Sequence, residues 1–190
     1  EDYEHLYNFI NLLKSTGVKT FIIHARKAML GKFTPKQNLN IPPLKYEMVY
    51  KLKEDFKELN IIINGGITSP EQIKDHIKKV DGVMIGRSIY HSPYLLADIE
   101  KEIFQNKDVS SRQEVVEKLV KYLKDEVKKG TRVNQVMRHT LGLFHGQTGS
   151  NFWKRYLSEN MCVRDADIQK VDHILDKVKL NHVTQPTGQI

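Results

Sequence analysis

Two glycine-containing turns come directly after two predicted strands. Gly65 and Gly66 follow the β-branched run Ile61–Ile63, and Gly86 with Arg87 follows Val83–Ile85. Glycine lets backbone N–H groups approach an anion closely, and an adjacent arginine adds a fixed positive charge. A single glycine-containing turn of this kind would be explained by the need for a tight turn between a strand and a helix. Two of them at consecutive strand ends, one carrying an arginine, favour a phosphate site.

The segment between these turns has the pattern of a crossover helix. Ser69 stands at a helix N-cap position, Pro70 at the first helical position, and Gln72 completes the spacing of a capping box. Ile73 and Ile77 continue an apolar stripe. A strand, a helix and a second strand in this order predict parallel strands whose carboxyl ends lie on one rim.

A third strand is predicted upstream, and no strand is predicted after residue 90. The run Thr20–Ile23 ends at His24, and amphipathic helices are expected over 6–13, ending at Gly17, and over 48–56. Later segments have helical periodicity, including a helix over 131–144 and one that begins with the capping box Ser111–Glu114. The sequence thus predicts an α/β part, residues 1–105, then an all-α part, residues 106–182, and a flexible tail, residues 183–190.

Composition limits the class of protein. The 190 residues carry a net charge of +7 and an isoelectric point near 9.3, which suits a polyanionic partner. We expect no membrane association, because no apolar run is long enough to cross a bilayer. The single Cys162 cannot form an internal disulfide framework and offers no paired-cysteine metal site. A reducing, cytoplasmic setting is the expectation, with no metal.

Several segments of the chain strongly resemble one enzyme family. The stretches HARKAMLGKFTPKQNLNIPPLKYEMVYKLK, NGGI, DGVMIGRSIYHSPYLL and RHTLGLFHGQTGSNFWKRYLSEN resemble tRNA-dihydrouridine synthases of the A subfamily, in the same order. The resemblance implies the last three βα units of a TIM barrel, followed by a helical bundle that binds tRNA. Since three strands cannot close a barrel, we expect further chain upstream of Glu1. We also expect the incomplete barrel to self-associate through its uncovered edges, or its first helix to shift over the open face.

The resemblance also implies site residues. FMN would be bound at the rim by His24, Asn64, Gly65, Gly66, Gly86 and Arg87. Transfer RNA would contact Arg26, Lys27, Lys36, Arg138, Asn151, Lys154 and Arg155. Three positions depart from the family pattern: Asn151 and Lys154 stand where the family has arginine, and Leu39 stands where the family has a basic loop residue.

The family reduces the C5=C6 bond of specific tRNA uridines, with NADPH as the source of hydride for the flavin. Its acid is a cysteine in the first half of the barrel, so this chain is expected to hold no catalytic residue and to be inactive alone. Two alternatives stay open. One is another FMN- or sugar-phosphate-binding barrel oxidoreductase, and the other is a non-catalytic RNA-binding fragment that holds no flavin.

Overall fold

The computed structural model describes residues 2–38, 40–164, 166, 168–174 and 176. The chain divides into two compact units, Glu1–Gly86 and Arg87–Ile190. This division lies upstream of the boundary expected after residue 105, and the assignment of 1–105 and 106–182 as domains stays a prediction. The expected tail over 183–190 lies outside the described residues.

The first unit contains a three-stranded parallel sheet in the order β1-β2-β3. The predicted strands, their direction and their order are therefore confirmed. In register, Ile22 lies beside Ile62 and His24 beside Asn64, while Asn64 pairs in turn with Met84. The strands are β1 (Thr20–His24), β2 (Asn60–Asn64) and β3 (Gly82–Met84).

Helices cover one face of this sheet. Phe21, Ile61 and Ile63, which alternate with the residues of the other face, are buried. Ile61 and Ile63 lie on β2, against which the helix Tyr46–Asp55 packs, while the helix Pro70–His76 packs against β3. The helices of the first unit are α1 (Asp2–Ser15), α2 (Pro35–Asn38), α3 (Tyr46–Asp55) and α4 (Pro70–His76).

The opposite face of the sheet is much more open. Ile22 is 54% exposed and Met84 is 43% exposed. The helix α1 lies against the end of α3, where the rings of Tyr7 and Phe56 are 4.7 Å apart and Ile10 is buried. This helix ends as predicted before Gly17, which has a φ of 94°.

The predicted start of α4 is confirmed with one change. Ser69 is the N-cap, and its Oγ accepts the N–H of Gln72 at 3.4 Å, with Pro70 as the first helical residue. The side-chain oxygen of Gln72 accepts the N–H of Thr68 at 2.8 Å, so it caps one residue further back than a capping box requires.

The described residues of the second unit contain helices and no strand. Ser111 and Glu114 form the predicted capping box at the start of α7. Trp153, Leu157 and Met161 are buried in the core of the second unit, together with residues of the helices Arg112–Lys128 and Val133–Met137. The helices are α5 (Arg87–His91), α6 (Leu95–Glu102), α7 (Arg112–Lys128), α8 (Val133–Met137) and α9 (Ser150–Tyr156), which continues into a π-helical turn, Leu157–Met161.

The single helix predicted over 131–144 is wrong, because the α-helical part is only α8. The N–H of Thr140 donates to Met137, three residues back, and its carbonyl accepts the indole N–H of Trp153 at 2.9 Å. The same carbonyl also accepts the N–H of Leu143 at 3.0 Å, so three-residue turn bonds and a tertiary contact replace the four-residue bonds of a continuing helix.

Candidate functional site

The carboxyl ends of β1 and β2 bring His24 and Asn64 side by side. The N–H of Ala25 donates to the carbonyl of Asn64 at 2.8 Å, which extends the sheet pairing by one step. His24 Nδ1 accepts the N–H of Arg26 at 3.1 Å. A neutral His24 therefore carries its proton on Nε2, as a hydrogen-bond donor.

Gly65 and Gly66 continue from β2 in backbone conformations that favour glycine, with φ values of 121° and 71°. A Cβ on Gly66 would lie 2.6 Å from Leu44 Cδ1, and one on Gly65 would lie 3.2 Å from His24 Cε1. Within the described part of the chain, no acceptor takes the N–H of either glycine. Gly66 is exposed, so its N–H is available to an anion at this rim, whereas Gly65 is buried.

Tyr46 holds the Gly65–Gly66 turn through a hydrogen bond. Its hydroxyl donates to the carbonyl of Gly65 at 2.7 Å. Burial raises the pKa of Tyr46, which keeps the hydroxyl protonated as the donor this bond requires. Sequence reasoning missed this residue, because a tyrosine on an amphipathic helix carries no signal that it will reach a turn nineteen positions away.

Gly86 comes two residues after β3, the strand that pairs with β2. No atom lies within 4 Å of the place a Cβ would occupy there, so its position is open. Arg87 is the first residue of α5 and of the second unit. The first unit by itself therefore brings together His24, Asn64, Gly65 and Gly66 and places Gly86 after the neighbouring strand.

Arg26, a predicted RNA contact, has its guanidinium turned inward. Its Nε donates to the carbonyl of Pro42 at 2.9 Å, and its Nη1 is buried without a hydrogen-bond partner. Lys45 N–H donates to the carbonyl of Ala25 at 2.7 Å. Together these bonds tie the far end of the long loop 25–45 to the end of β1.

The other two predicted RNA contacts of this loop differ in their surroundings. Lys27 pairs with Asp2, which also accepts from Lys45 at 2.9 Å. The hydrogen bonds from these two lysines lower the pKa of Asp2 to about 2. Lys36 is exposed on the short helix α2. Leu39 lies outside the described residues.

A cavity of about 400 Å³ lies beside the end of β1, between α1 and α3. Its apolar lining includes Leu6, Ile23 and Met48, and its polar lining includes His5 and Lys45. Sequence reasoning did not find this cavity. It depends on where α1 docks, and the periodicity of α1 shows only that the helix has an apolar face.

Most of the predicted RNA contacts of the second unit lie on one helix face. Asn151, Lys154 and Arg155 are exposed on α9, while Trp153 on the same helix is buried. Arg138 is exposed just after α8. The indole of Trp153 holds the Thr140 carbonyl of the turn that follows Arg138, so a hydrogen bond joins that turn to α9.

Three lysines on α7 and at its C-cap have carboxylate partners. Lys124 pairs with Asp172 at 2.6 Å, Lys128 with Asp125 at 3.0 Å and Lys129 with Glu126. In the described part of the chain, none of Arg138, Lys154 and Arg155 pairs with a carboxylate. The positive charge on α9 and at Arg138 is therefore less compensated than that on α7.

Residues 1–179 match the family model described as Dihydrouridine synthase (Dus). The chain is similar to proteins named tRNA-dihydrouridine(20/20a) synthase from several bacteria. It is 44% identical to the Synechocystis sp. protein over 87% of this chain and 50% of that protein. It is 44% identical to the Shewanella oneidensis protein over 97% of this chain and 56% of that protein. It is 45% identical to the Escherichia coli K12 protein over 94% of this chain and 52% of that protein.

The chain thus spans about half the length of the curated relatives it matches. No helix in the described residues is long and apolar enough to cross a bilayer.

Proposed function

The chain belongs to the dihydrouridine synthase family, and on that premise we propose that it forms part of an enzyme that reduces the C5=C6 bond of specific tRNA uridines. In this proposal residues 1–105 contribute the last three βα units of an FMN-binding TIM barrel. Residues 106–182 contribute a helical tRNA-binding domain. The supporting observation is the parallel sheet whose one rim carries His24, Asn64, Gly65 and Gly66.

The rim fits the phosphate end of a flavin mononucleotide. Two consecutive N–H groups at Gly65 and Gly66 have no acceptor in the described part of the chain, and the space beside Gly86 is open. We assign these groups and Arg87 to the phosphate, and His24 Nε2–H and the Asn64 amide to polar atoms of the flavin. Bound FMN, reduced by NADPH, would supply the hydride for uridine reduction.

We propose that this chain does not supply the acid for this reaction. Cys162 is its only cysteine, and it lies beside the core of the second unit. Burial raises the pKa of its thiol. We therefore propose that the proton donor belongs to another part of the enzyme and that this chain alone is inactive.

The tRNA contacts in this proposal are Arg138, Asn151, Lys154 and Arg155 in the second unit. In the first unit they are Arg26, Lys27 and Lys36 of the long loop. Arg138, Lys154 and Arg155 support this assignment, because none of them pairs with a carboxylate in the described part of the chain, whereas Lys27 pairs with Asp2. Arg26 is the weakest member of the set, because its guanidinium is held by Pro42.

The test compares two double variants in tRNA binding. Replacing Lys154 and Arg155 by alanine should weaken binding and flatten the dependence of affinity on salt, by roughly one unit of slope for each RNA phosphate that is no longer neutralised. The matched control replaces Lys124 and Lys128, which are paired with carboxylates, and should have a much smaller effect.

If both double variants weaken tRNA binding equally, binding is diffuse charge attraction and the tRNA surface is wrong. Flavin absorbance of the purified protein separates the remaining alternatives. A non-catalytic RNA-binding fragment would bind tRNA and retain no flavin. A flavin enzyme without a tRNA substrate would retain flavin and bind no tRNA.

A further inference from the structure

Four exposed side chains of the second unit form a compact aromatic and basic cluster, which we call the Tyr90 cluster: Tyr90, His91, Arg138 and His139. The Tyr90 hydroxyl lies 3.1 Å from His139 Nδ1. The Tyr90 ring meets the rings of His139 and His91 edge to face, at 5.8 and 5.7 Å between centroids. Arg138 Nε donates to His139 Nε2 at 3.2 Å.

The hydrogen bonds within the cluster determine which of its nitrogen atoms carry a proton to donate. Because His139 Nε2 accepts from Arg138, a neutral His139 carries its proton on Nδ1 and donates to the Tyr90 oxygen. The single bond from Nε fixes the plane of the Arg138 guanidinium, and no carboxylate in the described part of the chain pairs with it. Its two terminal nitrogens keep the fork geometry that phosphate prefers.

The backbone beneath the cluster is fixed by close packing. A Cβ on Gly142 would overlap the carbonyl oxygen of His91, so only glycine allows the turn after Arg138 to lie against the end of α5. The same turn is held from the other side by Trp153, which is 2% exposed and donates to the carbonyl of Thr140. The cluster is thus held in place before any partner arrives.

We propose that the Tyr90 cluster binds an unpaired RNA nucleotide, with its base stacked on the Tyr90 ring and its phosphate on the Arg138 guanidinium. Tyr90 is 54% exposed, and exposed aromatic rings beside cations stack bases regardless of base identity. The cluster offers one arginine, two imidazoles and no carboxylate, which favours a polyanion over a protein surface. This inference rests on the proposed function and adds Tyr90, His91 and His139 to its RNA contacts.

The experiment uses the 190-residue chain with tRNA and with a single-stranded RNA oligonucleotide that carries 2-aminopurine. Tyr90→Ala should weaken binding of the oligonucleotide about 5- to 100-fold and remove the quenching of 2-aminopurine that stacking produces. Tyr90→Phe keeps the ring and should retain both the affinity and the quenching. Tyr122→Ala, on α7, removes a tyrosine of the same 54% exposure and should behave as the unmodified chain.

The outcomes separate the two hypotheses. If the unmodified chain binds tRNA but Tyr90→Ala matches Tyr122→Ala, the proposed tRNA surface stands and the stacking site is wrong. Stacking is also wrong if Tyr90→Phe weakens binding as much as Tyr90→Ala. If the unmodified chain binds neither RNA, the tRNA-binding function fails and this inference fails with it. Arg138→Ala, an exposed change that leaves the core intact, should weaken binding and reduce the salt slope by about one.

Discussion

At the scale of single residues, Arg87 carries the charge that the predicted phosphate site requires. In the full-length protein, Arg87→Ala should weaken FMN binding roughly ten- to a hundred-fold, because one charge-assisted hydrogen bond is worth about 1.5–3 kcal/mol. Quenching of flavin fluorescence on titration measures the affinity. Arg132→Ala, another exposed arginine of the second unit, is the control. Unchanged flavin affinity in Arg87→Ala would place the phosphate elsewhere.

His76 gives the first unit a predicted dependence of stability on pH. It is 5% exposed, and its Nδ1 is 2.7 Å from the Tyr50 hydroxyl. Burial lowers its pKa below the ordinary 6.5, while the neighbouring Asp75 raises it and Lys79 lowers it further. The unfolded chain therefore binds a proton at a higher pH than the folded chain does.

The free energy of unfolding should fall as the pH drops from 6.5 toward the lowered pKa of His76, by at most about 1.4 kcal/mol per pH unit. His76→Gln removes the titrating group, so the difference between the two proteins isolates this contribution from the other histidines. Urea unfolding of both proteins between pH 5 and 8 measures it. Two curves that stay parallel over this range would show that His76 is not kept neutral by folding.

At the scale of elements, the contact between α5 and the turn after α8 depends on Gly142. Gly142→Ala should destabilise the second unit by about 1–3 kcal/mol, the usual cost of overpacking, since the new Cβ meets a backbone carbonyl that cannot move aside. Gly86→Ala has open space around its Cβ and is the control. Trp153, the only tryptophan, lies in the affected unit, so its fluorescence during urea unfolding is the measurement. Equal stability of the two variants would contradict this packing.

At the scale of the whole molecule, the open sheet face predicts self-association. In the described structure β1 and β3 each pair on one side only, and Ile22 is exposed on the uncovered face. Exposed edges and apolar faces promote association between chains. Sedimentation velocity should show species larger than a monomer, and Ile22→Glu should shift them to the monomer. Leu30→Glu, at a loop residue 90% exposed, should not. A wild-type monomer would refute the prediction.

Local sequence was sufficient to predict the strands, their parallel order and the helix starts at Ser69 and Ser111, because hydrophobic period and capping residues act over a few neighbouring positions. It also placed His24 and the Gly65–Gly66 turn at one rim, since parallel strands present their carboxyl ends together. The family resemblance likewise came from the order of short motifs, and the match over residues 1–179 confirmed it.

The remaining features depend on tertiary packing. The local pattern predicted one helix over 131–144, whereas α8 ends at Met137 and the turn that follows is held by the Trp153 indole and by the close approach of Gly142 to His91. Arginine in a polar loop is typical of a solvent-exposed cation, yet the carbonyl of Pro42 holds the guanidinium of Arg26 inward. Tyr46, the cavity beside β1 and the Tyr90 cluster were likewise beyond local pattern. Each depends on residues distant in sequence, whose meeting is set by packing that no short window of the chain contains.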